Sequence, residues 1–175
     1  LGYQRHRVPQ LTLFGNPLRK NDERLSNKRT HLCWYKLAGV TETLRRVRIA
    51  NQFGDDVLGL GDPELLLAPA LKQDGQAPVA GAIPGDVSHY KGYRILRHLT
   101  FQPRTALLQD QFDASPVKVT VYPPLFFCVP VEKQARDRVY RIDNPREYLT
   151  IYAISAKVYR QARPVWDQFK GGVLG

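Results

Sequence analysis

The sequence predicts an all-β protein built from tandem β-sandwich or barrel-like repeat units of about 58 residues, with a split unit at each terminus. Three observations predict it. The 13 Pro and 13 Gly punctuate the chain too often for a helical protein and suit short strands joined by turns. The apolar segments are short, Pro-bounded runs or strict alternations. A set of motifs also recurs along the chain at nearly constant spacing.

The first recurring segment is His31-Leu32-Cys33-Trp34-Tyr35-Lys36-Leu37, matched by His89-Tyr90-Lys91-Gly92-Tyr93-Arg94-Ile95 and more loosely by Tyr148-Leu149-Thr150-Ile151-Tyr152-Ala153-Ile154. Each copy leads to Asn51-Gln52-Phe53, Asp110-Gln111-Phe112 or Asp167-Gln168-Phe169, whose Gln residues are 59 and 57 positions apart. A third signal follows at Pro63–Lys72 and Pro124–Lys133. Pro9–Lys20 carries a looser version with two extra residues.

These boundaries divide the chain into four parts. Residues 1–30 read as the C-terminal half of a unit, 31–88 as unit one and 89–147 as unit two. Residues 148–175 read as the N-terminal half of a unit, and the Gly/Pro/Ala-rich stretch 73–88 as a linker.

Within a unit the chain supplies about four short strands. The Tyr35 and Tyr93 segments are aromatic and apolar. Arg45 to Ala50 alternates, so one side faces water. Val117 to Tyr122 alternates as a half-buried strand does. Leu65-Leu66-Leu67 and Leu125 to Val129 are buried-strand runs bounded by proline, which is expected at strand edges. Leu37–Ile49 is the one helical rival, and Gly39 with its β-branched neighbours argues against it.

Composition narrows the class. Hydrophobic residues are 43% and charged residues 24%, which excludes disordered and fibrous chains. No apolar run approaches the ~20 residues of a membrane-spanning helix. The chain contains no Met, so it reads as a processed protein or a piece of a longer array. The 26 Lys and Arg exceed the 16 Asp and Glu, giving +10. The excess is uneven: residues 1–50 carry +8, residues 51–88 carry −5 and residues 89–175 carry +7. Such blocks suit contact between subunits or with a polyanionic surface. Nucleic acid is disfavoured as a partner, because no recognised binding motif accompanies the basic residues.

No catalytic, metal or cofactor residue is assigned, and the chain reads as no enzyme. Asn51 cannot titrate where Asp110 and Asp167 stand, so the (Asn/Asp)-Gln-Phe motif is a turn with an apolar anchor. His31 and His89 lack the further ligands zinc needs at a recognisable spacing. Gly59-Leu60-Gly61 lacks the third glycine of a dinucleotide turn. Cys33 and Cys128 form one bridge or remain two buried thiols, and the spacing does not choose.

The combination His-x-x-x-Tyr-Lys/Arg, (Asn/Asp)-Gln-Phe and Pro-x-x-Lys resembles an uncharacterised family of secreted bacterial proteins, whose domain of unknown function occurs in tandem copies. The resemblance covers most of residues 9–175. That family places one Cys directly before the Tyr and a second two residues before the Pro; here only Cys128 matches. The resemblance implies an extracellular or cell-surface β-rich repeat protein and brings no activity or cofactor.

The complementary halves at the two ends point to a structural subunit that assembles with copies of itself, head to tail, into filaments, rings or a surface layer. The expected interface is Leu11, Leu13, Phe14 and Pro17 at one end, with Tyr152, Ile154, Trp166, Phe169 and Val173 at the other. The alternative is a monomeric secreted binding module whose halves close on each other and whose cationic face holds an acidic glycan, a cell-wall polymer or nucleic acid.

Overall fold

The computed structural model describes residues 11–21, 23–25, 27–38, 45–72, 87–111, 113–135, 138–155, 163–167 and 171–174. Most of the 73–88 linker, Phe112, Gln168 and Phe169 lie outside this set. Every regular element in it is a strand. In chain order these are β1 (Leu11–Gly15), β2 (Arg19–Lys20), β3 (His31–Lys36), β4 (Arg45–Asn51), β5 (Gly54–Lys72), β6 (His89–Arg97) and β7 (Arg104–Gln109). They continue as β8 (Val117–Val131), β9 (Lys133–Ala135), β10 (Arg138–Tyr140), β11 (Leu149–Ile154), β12 (Arg163–Asp167) and β13 (Gly171–Leu174). Strands β9 and β10 pair with each other, and the rest join one antiparallel sheet.

Among the described residues, the segments read from the sequence as units, 31–88 and 89–147, each hold three principal strands where the sequence reading expected about four. The third is long: β5 runs 19 residues and β8 runs 15. Prolines lie inside these strands instead of at their edges, and the ladder explains how. Pro63 and Pro124 stand where the register shifts, so no regular ladder bond is asked of them. Pro69 stands between two pairings of β5, after Leu67 meets β6 and before Ala70 meets β12.

One pairing rule is used repeatedly. The first strand of a unit pairs with the second half of its long strand: Tyr35 opposite Leu66 in β3–β5, and Tyr93 opposite Phe127 in β6–β8. The second strand pairs with the first half, on the same edge: β4 with β5, and β7 with β8. The opposite edge receives the first strand of the next unit, and there the register recurs three times. Leu11, Leu13, Phe14 and Gly15 face Tyr35, Trp34, Cys33 and Leu32. Pro63, Leu65, Leu66 and Leu67 face Tyr93, Gly92, Lys91 and Tyr90. Pro124, Phe126, Phe127 and Cys128 face Tyr152, Ile151, Thr150 and Leu149. Each set skips one residue at the same place.

This register corrects the reading of the N-terminal segment. Leu11, not Pro9, occupies the place of Pro63. Leu11–Lys20 then matches Pro63–Lys72 without extra residues, and Pro17 and Lys20 fall on Pro69 and Lys72. The two extra residues come from setting Pro9 on Pro63; the bulge itself is common to all three sets.

A longer-range pairing also occurs twice. The end of one long segment meets the second strand two units on. Arg19 and Lys20 face Gln109 and Leu108, and Leu71 and Lys72 face Trp166 and Val165.

The centre of the sheet is buried on both faces. Cys33, Tyr35, Leu37, Leu66, Ala68 and Ala70 pack on one side, against Leu11, Phe14 and Val131. Leu65, Leu67, Tyr90 and Cys128 pack on the other, with Leu32, Trp34 and Ile151. This explains why Leu65–Ala70 is apolar without alternation: consecutive side chains enter different clusters. Each fully buried leucine such as Leu58 or Leu67 contributes about 1.5–3 kcal/mol.

Candidate functional site

The chemistry-bearing side chains sit in packing roles. His31 and His89 are buried. The His31 ring stacks on Phe14, and the His89 ring lies 5.1 Å from Tyr140. Among the described residues no group of three or more His, Cys, Asp or Glu is placed to hold a metal. Cys33 and Cys128 are both buried free thiols, one in each of the clusters on opposite faces of the sheet. Burial pushes the Cys128 thiol up to about 12, which keeps it protonated and unreactive at neutral pH.

The (Asn/Asp)-Gln-Phe motif proves to be a meeting point of units. Asn51 Oδ1 accepts from the Phe53 backbone N–H at 2.8 Å, closing the β4–β5 turn. Its Nδ2 donates to the Tyr152 hydroxyl at 2.9 Å. The Phe53 ring meets Tyr152 edge-on at 4.8 Å and Phe101 at 5.9 Å, and Lys20 Nζ lies over it at 5.6 Å. In the second copy, Gln111 Nε2 donates to Asn16 Oδ1. The pocket at the Phe53 junction holds about one water, too little for an organic ligand.

Asp56, buried beside this junction, braces it. Its Oδ1 accepts from the N–H groups of Val57, Leu99 and Thr100 at 2.7, 2.8 and 3.2 Å, and its Oδ2 from Phe101 at 3.2 Å. Burial alone would raise this carboxyl, but the four N–H donors outweigh it and hold the group below the usual carboxylate range. Sequence reading missed Asp56, because the loop it caps is 43 to 45 residues away.

The two expected interface segments lie on different strands and do not pair with each other. β1 pairs with β3, and β11 pairs with β8. Among the described residues no strand occupies the outer edge of either. The named side chains divide. Leu11 and Phe14 pack into the Cys33 cluster, and Pro17 is half-buried. Tyr152 packs at the Phe53 junction, where burial raises its hydroxyl pKa, aided by the Asp56 charge and opposed by hydrogen bonds from Asn51 and Thr150. Leu13 and Ile154 face outward. Leu13 is 54% exposed, whereas Leu65, its equivalent, is 8% exposed. Ile154 is 41% exposed, whereas Leu37, its equivalent, is 6% exposed. Leu18 and Tyr148 repeat the contrast and were not named from sequence. The gap-free match sets Leu18 on buried Ala70, and the first recurring segment sets Tyr148 on buried His31 and His89. Trp166 and Val173 lie in paired strands whose backbone alone is described, and Phe169 is outside the described residues.

Arg46, Arg48 and Arg97 are exposed on neighbouring strands of the sheet. Arg46 and Arg48 point away from Val47 and Ile49, which pack inward. Arg46 and Arg97 flank Gly59 in adjacent strands.

A family model described as a repeat of unknown function, DUF7450, matches residues 31–173. No curated protein and no solved structure matches the chain.

Proposed function

The chain belongs to the DUF7450 repeat family, and from that premise we propose that it is a structural, self-assembling extracellular or cell-surface subunit, joined head to tail by strand complementation. One observation carries the reading: Leu13 on β1 and Ile154 on β11 are exposed, whereas Leu65 and Leu37, which hold the equivalent places where two units meet inside the chain, are buried. Burying apolar area is worth about 25 cal/mol per Å², and an unpaired strand edge is a template for another strand. In the joint, β11 of one copy receives β1 of the next on its outer edge, as β3 receives β5 and β6 receives β8. The register carries over: Tyr152 faces Phe14, Thr150 faces Asn16 and Tyr148 faces Leu18 of the neighbour. A contact of this kind is heterologous, so it closes into rings or continues as filaments.

Sedimentation velocity tests it. The unmodified chain sediments as multiples of its 20.0 kDa mass. Leu13→Lys, an exposed change that leaves the circular dichroism spectrum intact, lowers association by at least tenfold. A species of single-chain mass at all concentrations contradicts the reading and favours a closed binding module whose cationic face holds a polyanion.

A further inference from the structure

We infer that the assembled form has a second joint, in which the end of β8 in one copy pairs with the outer edge of β4 in the next. This rests on the head-to-tail reading and adds a surface that the reading does not supply.

The observation is the pairing between units two apart. Twice within the chain, a long segment first receives the next unit's first strand and then, a few residues on, the second strand of the unit after that. β1–β2 receives β3 and then β7. β5 receives β6 and then β12. The registers agree: Lys20 and Lys72 stand at the same place after Pro17 and Pro69, and they face Leu108 and Val165, each two residues before the Asp of the Asp-Gln-Phe motif. β8 is the third such segment. It receives β11 up to Cys128, and no strand follows on that edge among the described residues. The β9–β10 hairpin lies on the other side, because its Tyr140 sits beside His89 of β6, the strand that pairs Val131.

β4 is the matching half. Its equivalents β7 and β12 are each paired on both edges, to β8 and β2 and to β13 and β5. β4 pairs with β5 alone among the described strands. When a neighbour's β1 completes β11, that neighbour's β4 takes the place two units after β8. The register then sets Val131 opposite Asn51, Glu132 opposite Ala50 and Lys133 opposite Ile49 of the neighbour, as Ala70, Leu71 and Lys72 stand opposite Asp167, Trp166 and Val165. Ala50 and Glu132 are both exposed, so cysteines there are accessible, and each variant is checked for an unchanged circular dichroism spectrum.

Cysteine pairing tests the joint on the full chain under mild oxidation. A protein carrying Ala50→Cys and Glu132→Cys gives a ladder at multiples of the chain mass on a non-reducing denaturing gel, and reductant collapses it. Arg48→Cys with Glu132→Cys, two residues out of register, crosslinks at least tenfold more slowly. Asn16→Cys with Thr150→Cys reports the first joint independently. A ladder from that control with a single band from the 50/132 pair overturns the second joint and leaves head-to-tail assembly standing. Equal rates for the 48/132 and 50/132 pairs overturn the register. Single bands from both joints, with single-chain mass in solution, overturn both readings.

Discussion

The Phe14 ring stacks on His31, with centroids 5.0 Å apart and planes 21° from parallel. Phe127 stacks on Tyr148 at 5.6 Å and 17°. The four residues occupy equivalent places, since Phe14 and Phe127 share one register position and His31 and Tyr148 another. The same contact therefore fastens successive units at both ends of the sheet, although one ring has changed from imidazole to phenol. Between them Leu66 and His89 take the two positions.

That equivalence predicts which substitutions the position accepts. Phe14→Leu places the residue that Leu66 already supplies and costs under about 1.5 kcal/mol. Phe14→Ala removes the ring from the Cys33 cluster and costs about 2–3 kcal/mol. Urea denaturation separates the two.

Gly92 marks a place where chain copies cannot be exchanged. Its equivalents are Trp34 and Ile151. A Cβ at Gly92 would lie 3.0 Å from Leu65 Cβ and 3.2 Å from Cys128 Sγ. Gly92→Ala is expected to destabilise by about 1–3 kcal/mol through overpacking, and Cys128→Ala to relieve part of that cost. A double-mutant cycle in denaturant measures the coupling.

Asp56 gives the fold an acid-labile support. Its carboxyl titrates lower in the folded chain than in the unfolded one. The stabilisation is thus fully present above the unfolded value of about 3.9 and is lost as pH falls through the lower folded value. Asp56→Ala leaves the N–H groups of Leu99, Thr100 and Phe101 without their acceptor and costs about 2–3 kcal/mol near neutrality. The melting temperatures of the two proteins draw together as pH falls through that lower folded value; a gap that stays constant throughout acidification would show that the charge is not what stabilises the loop.

The cysteines are expected to stay unbridged. Ellman titration finds no reactive thiol in the native chain at pH 8 and two after unfolding, because each thiol is enclosed in its own cluster. An intact mass lower by two hydrogens after purification in air would contradict this.

Strand content was legible because alternation and short apolar runs report burial locally, as in Arg45–Ala50 and Val117–Tyr122. The recurring register was legible in Tyr35, Tyr93 and Tyr152, which fall at one register position. The continuity of β5 and β8 was hidden, because proline reads as a strand boundary until the register shift around it is seen. The outward residues at the ends were half hidden for a related reason. Alternation distinguishes Leu13 from Phe14, but only the bulge decides which of them faces the core. The contacts of Asp56 and the junction at Phe53 join segments far apart in sequence, and no local pattern encodes them.

Head-to-tail joining is tested most directly by mixing two blocked proteins. Leu13→Lys disables the head and Ile154→Lys disables the tail, so each sediments alone at 20.0 kDa. An equimolar mixture retains one working head and one working tail on different molecules. It is predicted to stop at a heterodimer of about twice that mass. A mixture that stays at single-chain mass, or one blocked protein that still forms long oligomers by itself, would contradict the account.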